Sequence, residues 1–399
     1  MALKQNPLLT AFSMTSQTRS SRFRRTRAGS SSASTVSVAG PLGAPTSRVW
    51  CTPARRHSPQ PLSAFLDTAR LWLATEPVGR PGVDFAYNNL GTWILSRIVR
   101  EHTGADIDAI ITREVLESLG RGPHCWARDT DGIPLGFSGL YIDAEDLARF
   151  GQLLLDDGIH DSTRLLPEEW IAQHRVRHIQ SDGLTGPEWG LGYGWQTWMS
   201  SHGYRLDGAF GQFALIIPEV DAVVVMTNDV GEGAGDKQII LQTVWDHLLP
   251  ALAEGLDPEP KEVVRTLPIV TGEFNPTRPM QGIVENGSHV VVTPCSDQQG
   301  WGLSWHIPAS PANAEDVALD VAIGYDEWRT SHCPIGSDSL DIAASGGWHD
   351  GTFVARLCVI CTPHALTLRM APDRTTVEWD AEPLDPRGLL GLVHPEPRR

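Results

Sequence analysis

Tyr87 and Asn89 are the two side chains whose types and spacing best suit chemistry. They lie within residues 81–104, which read Pro-Gly-Val-Asp-Phe-Ala-Tyr-Asn-Asn-Leu-Gly-Thr-Trp-Ile-Leu-Ser-Arg-Ile-Val-Arg-Glu-His-Thr-Gly. A phenol can move a proton, and an amide can orient a carbonyl. Both tasks need a rigid mount. Leu90, Trp93, Ile94 and Ile98 recur at helical spacing, which predicts a helix with one apolar face starting at this pair, and Gly104 predicts its end. A plainer account of the same residues is a half-buried tyrosine beside an asparagine helix cap.

The elements around this stretch follow from period and punctuation. Phe65, Ala69 and Trp72 predict a short helix before the Pro81-Gly82 turn. Asp106 is a candidate cap for a helix with Ile107, Ile110, Ile111, Val115 and Leu119 on its apolar face, ended by Gly120. Asp143 is a candidate cap for the next, with Glu145 and Asp146 at the positive end of its dipole and Leu147, Phe150 and Leu154 as its buried stripe. Pro167 predicts the first residue of a further helix anchored by Trp170 and Ile171. The period then changes. Residues 193–198 are aromatic and strand-like, and 212–217 and 222–227 predict a hairpin. Residues 238–252 predict a closing helix that buries Ile239, Ile240, Val244, Leu248 and Leu249. A helix on an antiparallel sheet is an α+β arrangement. Beyond a linker at 253–266, short alternating runs at 283–284, 289–293, 301–307, 317–323, 352–360, 365–370 and 376–379 predict a small all-β domain over 267–399.

The order Pro-Gly, Tyr-x-Asn, apolar helix, Thr-Gly resembles the serine β-lactamase-related hydrolases: class C β-lactamases, D-alanyl-D-alanine carboxypeptidases and related esterases and amidases. The resemblance covers about residues 58–252. It implies a β-lactamase/transpeptidase-like α+β core with a helical subdomain, acyl transfer on a small ester or amide, and no cofactor or metal. It also implies roles. Tyr87 would assist proton transfer, and Asn89 would hydrogen-bond the substrate amide. The stretch Tyr204-Arg-Leu-Asp-Gly-Ala-Phe-Gly-Gln-Phe213 stands where the family has its Lys-Thr-Gly or His-x-Gly strand. There Gly208 matches the glycine that lets substrate approach the backbone, and Ala209 would donate an oxyanion-holding amide, with Asp207 and Gln212 beside them. Leu206 and Asp207 replace the basic and hydroxyl positions, which favours an esterase or amidase over a true β-lactamase. A glycine bulge entering an edge strand accounts for the same residues without chemistry.

The family's nucleophile motif, Ser-x-x-Lys, is missing from this sequence. Its three lysines are Lys4, Lys237 and Lys261, preceded three positions earlier by Met1, Ala234 and Pro258. The expectation is therefore a hydrolase homologue with impaired catalysis. The alternatives are a non-catalytic protein that keeps the cleft and binds a ligand, a degraded product without function, and a hydrolase imported into an organelle. No Gly-x-Ser-x-Gly elbow offers another nucleophile, and Ser138 in Gly136-Phe-Ser-Gly139 falls one residue short.

A chain of 399 residues with 41% hydrophobic residues can bury a large core in about two domains. Its formal charge of −16 argues against a nucleic-acid surface, and no apolar run reaches the length of a membrane span. Six scattered cysteines fit a reducing, cytoplasmic compartment. Residues 1–60 hold nine Lys or Arg and no acid, leaving 23 basic against 48 acidic side chains elsewhere. The segment 1–57 is thus a targeting segment, a basic arm, or a stretch translated out of frame. The last fits best, because the family-like pattern begins abruptly near Ser58 and no family strands precede it.

The remaining clusters have plain accounts. Cys358 and Cys361 lie in an expected strand, where i and i+3 face opposite sides, so buried thiols are favoured over zinc. His102, His160, His174, His178 and His202 show no metal spacing and read as solvated or capping residues; His124, with Cys125 and Trp126 in a loop that would rim the pocket, reads the same way. Asp156-Asp157 and Glu168-Glu169 read as helix-end charges.

Overall fold

The computed structural model describes residues 79–80, 82–120, 122, 124–129, 131–181, 186–230, 234–255, 268–275, 279–296, 299–310, 315–385 and 387–395, with the backbone of 34–36. The rest of the segment 1–57, the expected helix around Phe65 and Trp72, Pro81, and linker residues 256–266 lie outside these. The chain forms two compact units, built mainly on Leu62–Glu262 and Val263–Glu396.

The first unit mixes helices with a five-stranded sheet. Strand β1 (Ser34–Val36) is parallel to its neighbour; β2 (Trp198–Met199), β3 (Tyr204–Asp207), β4 (Phe213–Ile217) and β5 (Ala222–Met226) are antiparallel, and the order is β1-β5-β4-β3-β2. The presence of β1 corrects the expectation of no strand in the first segment; the β-branched pair Thr35-Val36 suits a short edge strand. Helix α1 (Asn89–Thr103) and α2 (Ile107–Ile111, extended by a π turn to Leu116) precede α3 (Ala144–Leu155) and α4 (Glu168–His174). Helix α5 (Ala234–Thr243) runs through a π turn into α6 (Leu249–Ala253).

Both faces of β4 are buried, which explains its unbroken apolar run. Ala214 and Ile216 join one core with Phe150, Leu147 and Leu154 of α3. Phe213, Leu215 and Ile217 join another with Leu241, Val244 and Trp245. Helix α3 comes close to the sheet at Gly151, where a Cβ would lie 2.6 Å from Val223 Cγ1.

Several expected details differ. Ile98 is 46% exposed and Ile239 64% exposed. The inward face of α1 is instead Thr92, Trp93, Ser96 and Val99. Trp93 stays inside by donating Nε1–H to Asp129 (2.9 Å), so the helix turns on that bond and not on its isoleucines. Asp106 and Asp143 stand at cap positions without a side-chain cap bond. The Asp106 carboxylate pairs instead with Arg100 and Arg128. Pro167 is the cap of α4 and not its first helical residue.

The second unit is a ten-stranded, nearly closed sheet: β6 (Met280–Ile283), β7 (His289–Pro294), β8 (Gly300–Ile307), β9 (Val317–Gly324), β10 (Arg329–Ile335), β11 (Asp338–His349), β12 (Thr352–Val359), β13 (Ala365–Met370), β14 (Thr375–Trp379) and β15 (His394–Pro395). The main path is β6-β7-β8-β9-β11-β12-β13-β14, with β10 and β15 paired to β11. The first and last strands of that path meet at Gly282: a Cβ there would lie 1.9 Å from Thr375 Oγ1. Three strands had no sequence signal, the two-residue β15 among them. Strand β11 is rich in Ser, Ala and Gly, and β10 carries Pro334, so neither shows the alternation of bulky residues that marks a strand. Trp301 is fully buried among Phe274, Phe353 and Tyr325.

Candidate functional site

The site assembles at the start of α1 and the end of β3. Asn88, between the two expected residues, caps α1: its Oδ1 accepts from Leu90 N (2.8 Å) and Gly91 N (3.3 Å). The cap fixes the chain direction on either side. Asn89 opens the helix at an exposed position, and Tyr87 is 51% exposed. The Tyr87 ring stacks on Trp198 at 5.8 Å and meets Tyr193 edge-on at 6.3 Å. Phe85 adds a third contact to each, at 5.4 Å from Tyr193 and 5.7 Å from Trp198.

The strand-like stretch 193–198 is a tight turn. Gln196 takes a left-handed backbone (φ 65°), Gly194 N–H donates to Thr197 O (2.8 Å), and Tyr193 bridges Trp198 across it. The turn brings two rings distant by helix or strand period into contact at 4.9 Å. Tyr193 is buried, and burial, the neighbouring Tyr87 phenol and the Asp207 carboxylate together hold its hydroxyl well above the ordinary phenol range. Tyr87 and Asp207, far apart in sequence, therefore both act on one buried phenol.

Asp207 ends β3 inside a buried ionic chain. Its Oδ2 accepts from Arg205 Nε (3.0 Å), and its Oδ1 lies 3.9 Å from Lys237 Nζ. Arg205 is fully buried, donates to Met199 O and Ser200 Oγ at 2.9 Å each, pairs with Glu188 Oε2 at 3.4 Å and lies over the Trp189 ring. Glu188 in turn accepts from Trp245 Nε1 (3.0 Å). Lys237 Nζ donates to Gly208 O (2.9 Å).

The loop after β3 holds the other candidates. Gly208 N–H donates to Gln212 O (2.7 Å), and Gln212 Nε2 donates to Asn228 O (2.6 Å), so Gln212 braces the loop. Ala209 is half-buried beyond the last strand bond. Phe210 adopts a left-handed conformation (φ 58°, ψ 19°).

Sequence reasoning passed over Tyr193 and Trp198 as partners, and over Arg205, Glu188 and Lys237. Only the aromatic density of 193–198 signalled the first two. The charged three come from separate elements and had no shared spacing.

Other candidates resolve locally. Ser138 O accepts from Trp126 Nε1 in a turn between Gly136 and Gly139, both at positive φ. Cys358 ends within β12, whereas Cys361 sits in the following turn at φ 67°, which corrects the placement of both in one strand. His174 and His124 are buried, contrary to the solvated reading. Burial lowers the His174 imidazole to about 4, and its ring meets Tyr204 edge-on. Asp156 caps the end of α3, and Glu168 and Glu169 occupy the first turn of α4. Among the described residues, no group of His, Cys, Asp and Glu could hold a metal ion, and no helix is long and apolar enough to cross a membrane.

The β-lactamase family model matches residues 42–244, and the chain belongs to that family of serine hydrolases. The match begins upstream of Ser58, within the first segment. Similar solved structures include a Bacillus anthracis protein named as a 6-aminohexanoate-dimer hydrolase (24% identity, TM-score 0.38, 46% of this chain and 47% of that one). Another is a Bacteroides dorei protein named as a β-lactamase (18% identity, TM-score 0.38, 49% and 67%). A third is SurE with D-Leu (17% identity, TM-score 0.33, 80% and 75%). The alignment thus spans about half the length of the first of these. No curated protein matches this chain.

Proposed function

We propose that this chain is an esterase- or amidase-type relative within its family that recognises a small carbonyl compound but turns it over by acyl transfer slowly or not at all. The observation that carries this reading is the placement of its three lysines, Lys4, Lys237 and Lys261, none one helical turn after a serine. Acyl transfer in this family needs that lysine to lower the cost of deprotonating the serine it touches. Removing nucleophile and base leaves only what binding and oxyanion stabilisation supply.

The supporting groups have chemical sense without them. On a β-lactamase/transpeptidase-like core, Tyr87 presents a half-exposed phenol beside an aromatic platform, and Asn89 presents an amide at the helix start. Gly208 leaves the backbone open to approach, and the Ala209 N–H is the candidate donor to a carbonyl oxygen. Leu206 and Asp207 stand in place of a Lys-Thr pair, so a β-lactam carboxylate has no ready partner. The stacked Tyr87 and Trp198 favour a ligand with a flat or apolar group.

The test is intact-mass spectrometry of the purified chain after a fluorophosphonate probe and, separately, a penicillin. The expected result is no stoichiometric adduct from a cooperatively folded sample, together with a rise in melting temperature in a phenyl ester. One adduct mapped to one serine would overturn the impairment and name the nucleophile. No adduct and no thermal shift with any ester or amide would overturn carbonyl recognition.

A further inference from the structure

Among the bonds that clamp residues 208–212 are five, four of them neutral, that tie the loop to itself and to its neighbours. Gly208 N–H donates to Gln212 O, Gln212 Nε2 to Asn228 O, Asn228 Nδ2 to Gly211 O (2.5 Å), and Val230 N to Phe210 O (3.3 Å). The fifth comes from an ammonium, Lys237 Nζ to Gly208 O at 2.9 Å, in a residue only 6% exposed. An ammonium taken out of water costs free energy that a neutral donor would not, so the charge itself calls for an explanation.

The carbonyl it binds belongs to the peptide unit whose other end is the Ala209 N–H. That unit is planar and trans, so its C=O and N–H point in opposite directions. A cation at the oxygen draws electron density along the amide and makes the N–H a stronger donor. Asp207 Oδ1 lies 3.9 Å from the same ammonium, and Arg205 holds the carboxylate's other oxygen. The groups thus form one series: Arg205, Asp207, Lys237, the Gly208 carbonyl, the Ala209 amide.

We infer that Lys237 is a positioning residue, whose ammonium orients and polarises the Gly208–Ala209 peptide so that the Ala209 N–H meets the oxygen of a carbonyl or oxyanion ligand. This rests on the reading of Ala209 as an oxyanion donor. It assigns Lys237, the buried lysine among the described residues, to the site by a route other than deprotonating a serine. The clamp also explains why a bulky residue, Phe210, is held in a left-handed conformation, since a loop braced at its neighbour's carbonyl cannot relax by turning that peptide over.

The test follows the Ala209 amide by ¹H–¹⁵N spectroscopy in the full chain. Lys237→Met moves the Ala209 proton upfield and weakens phenylphosphonate, an oxyanion carrying a ring, by about fivefold, the order of a charge-assisted hydrogen bond partly lost. Ile239→Ala, exposed on the same helix, leaves both readouts at their wild-type values. Lys237→Gln keeps an N–H for the Gly208 carbonyl without the charge, moves the proton in the same direction, and carries the test if the methionine variant does not fold. An Ala209 proton unmoved in either variant overturns the inference. If phenylphosphonate leaves Ala209 untouched in the wild type while the variants still shift it, the polarising contact stands and the oxyanion reading falls.

Discussion

The two units of this chain bury polarity in opposite ways. Among the described residues, the first encloses Glu188, Arg205, Asp207 and Lys237, all under a tenth exposed, around the end of one strand. The second encloses only neutral or weakly basic polar side chains, among them Ser288, Ser345, His364 and Thr375, in a core dominated by Trp301, Phe353 and the β-branched residues of its strands. Buried charge is weak evidence for stability, because desolvation offsets most of what pairing returns. An all-β core built for stability alone has no need of it, and the second unit follows that rule. The first unit departs from it at the candidate site and again at Asp108, Asp129 and Asp146, each under a tenth exposed. The contrast separates a neutral core from one that holds charge, and the site carries the part of that charge that includes both signs in full burial.

The largest expected effect tests that contrast directly. Arg205→Ala leaves Asp207 and Glu188 short of their shared counter-charge and should destabilise the first unit by about 3–5 kcal/mol. Hydrogen exchange should rise across residues 204–226 while β6–β14 keep their protection. Equal loss in both units would mean that they do not unfold separately.

The second effect concerns pH. His174 is held at about 4 in the fold by burial, below its ordinary value of 6.5. The unfolded chain therefore binds a proton that the fold refuses. The stability contributed is complete above pH 6.5 and is lost as pH falls towards 4, by about 3 kcal/mol in all. His364 in the second unit is lowered for the same first cause, burial, opposed by its contact with the Ala381 carbonyl. His174→Phe should therefore flatten the melting temperature of the first unit between pH 6.5 and 4. An unchanged slope in that variant would assign the acid sensitivity elsewhere.

Third, Gly282→Ala drives a methyl into Thr375 where the ends of the β sheet meet. Overpacking of this kind costs about 1–3 kcal/mol. The loss should appear in denaturant unfolding of the second unit and leave ligand-induced shifts in the first unchanged. The smallest effect is that of Asn88→Ala, which removes the α1 cap and costs about 1 kcal/mol. It should also broaden the Tyr87 resonances, because the same cap sets the angle at which Tyr87 leaves the helix.

Much of the fold was legible where one element carried its own evidence. The stripe of α3, the hairpin β4–β5 and the strands β8, β9, β12 and β13 announced themselves through period alone. Strands β10 and β11 did not: β11 is buried by its neighbours through small residues, and β10 is mostly outside the core and carries Pro334. Ile98 and Ile239 failed for a related reason: periodicity finds an apolar stripe but not how wide the contact facing it is. At the site, Tyr87 and the 207–212 strip were visible as chemistry-bearing residues. Asn88 was overlooked as the cap because adjacent asparagines offer the same side chain, and only backbone geometry chooses between them.

The sequence by itself determined the family, the α+β character of the first unit, the β character of the second, and the absence of a serine one turn before any lysine. These are properties of order and local spacing, which survive without knowledge of contacts. The tertiary structure alone decided that Tyr87 meets the buried ring of Tyr193, and that Lys237 reaches the Gly208 carbonyl from a helix 29 residues further along the chain. Such pairings depend on where separate elements come to rest, and the strength of each charge depends on how much water packing has removed from it.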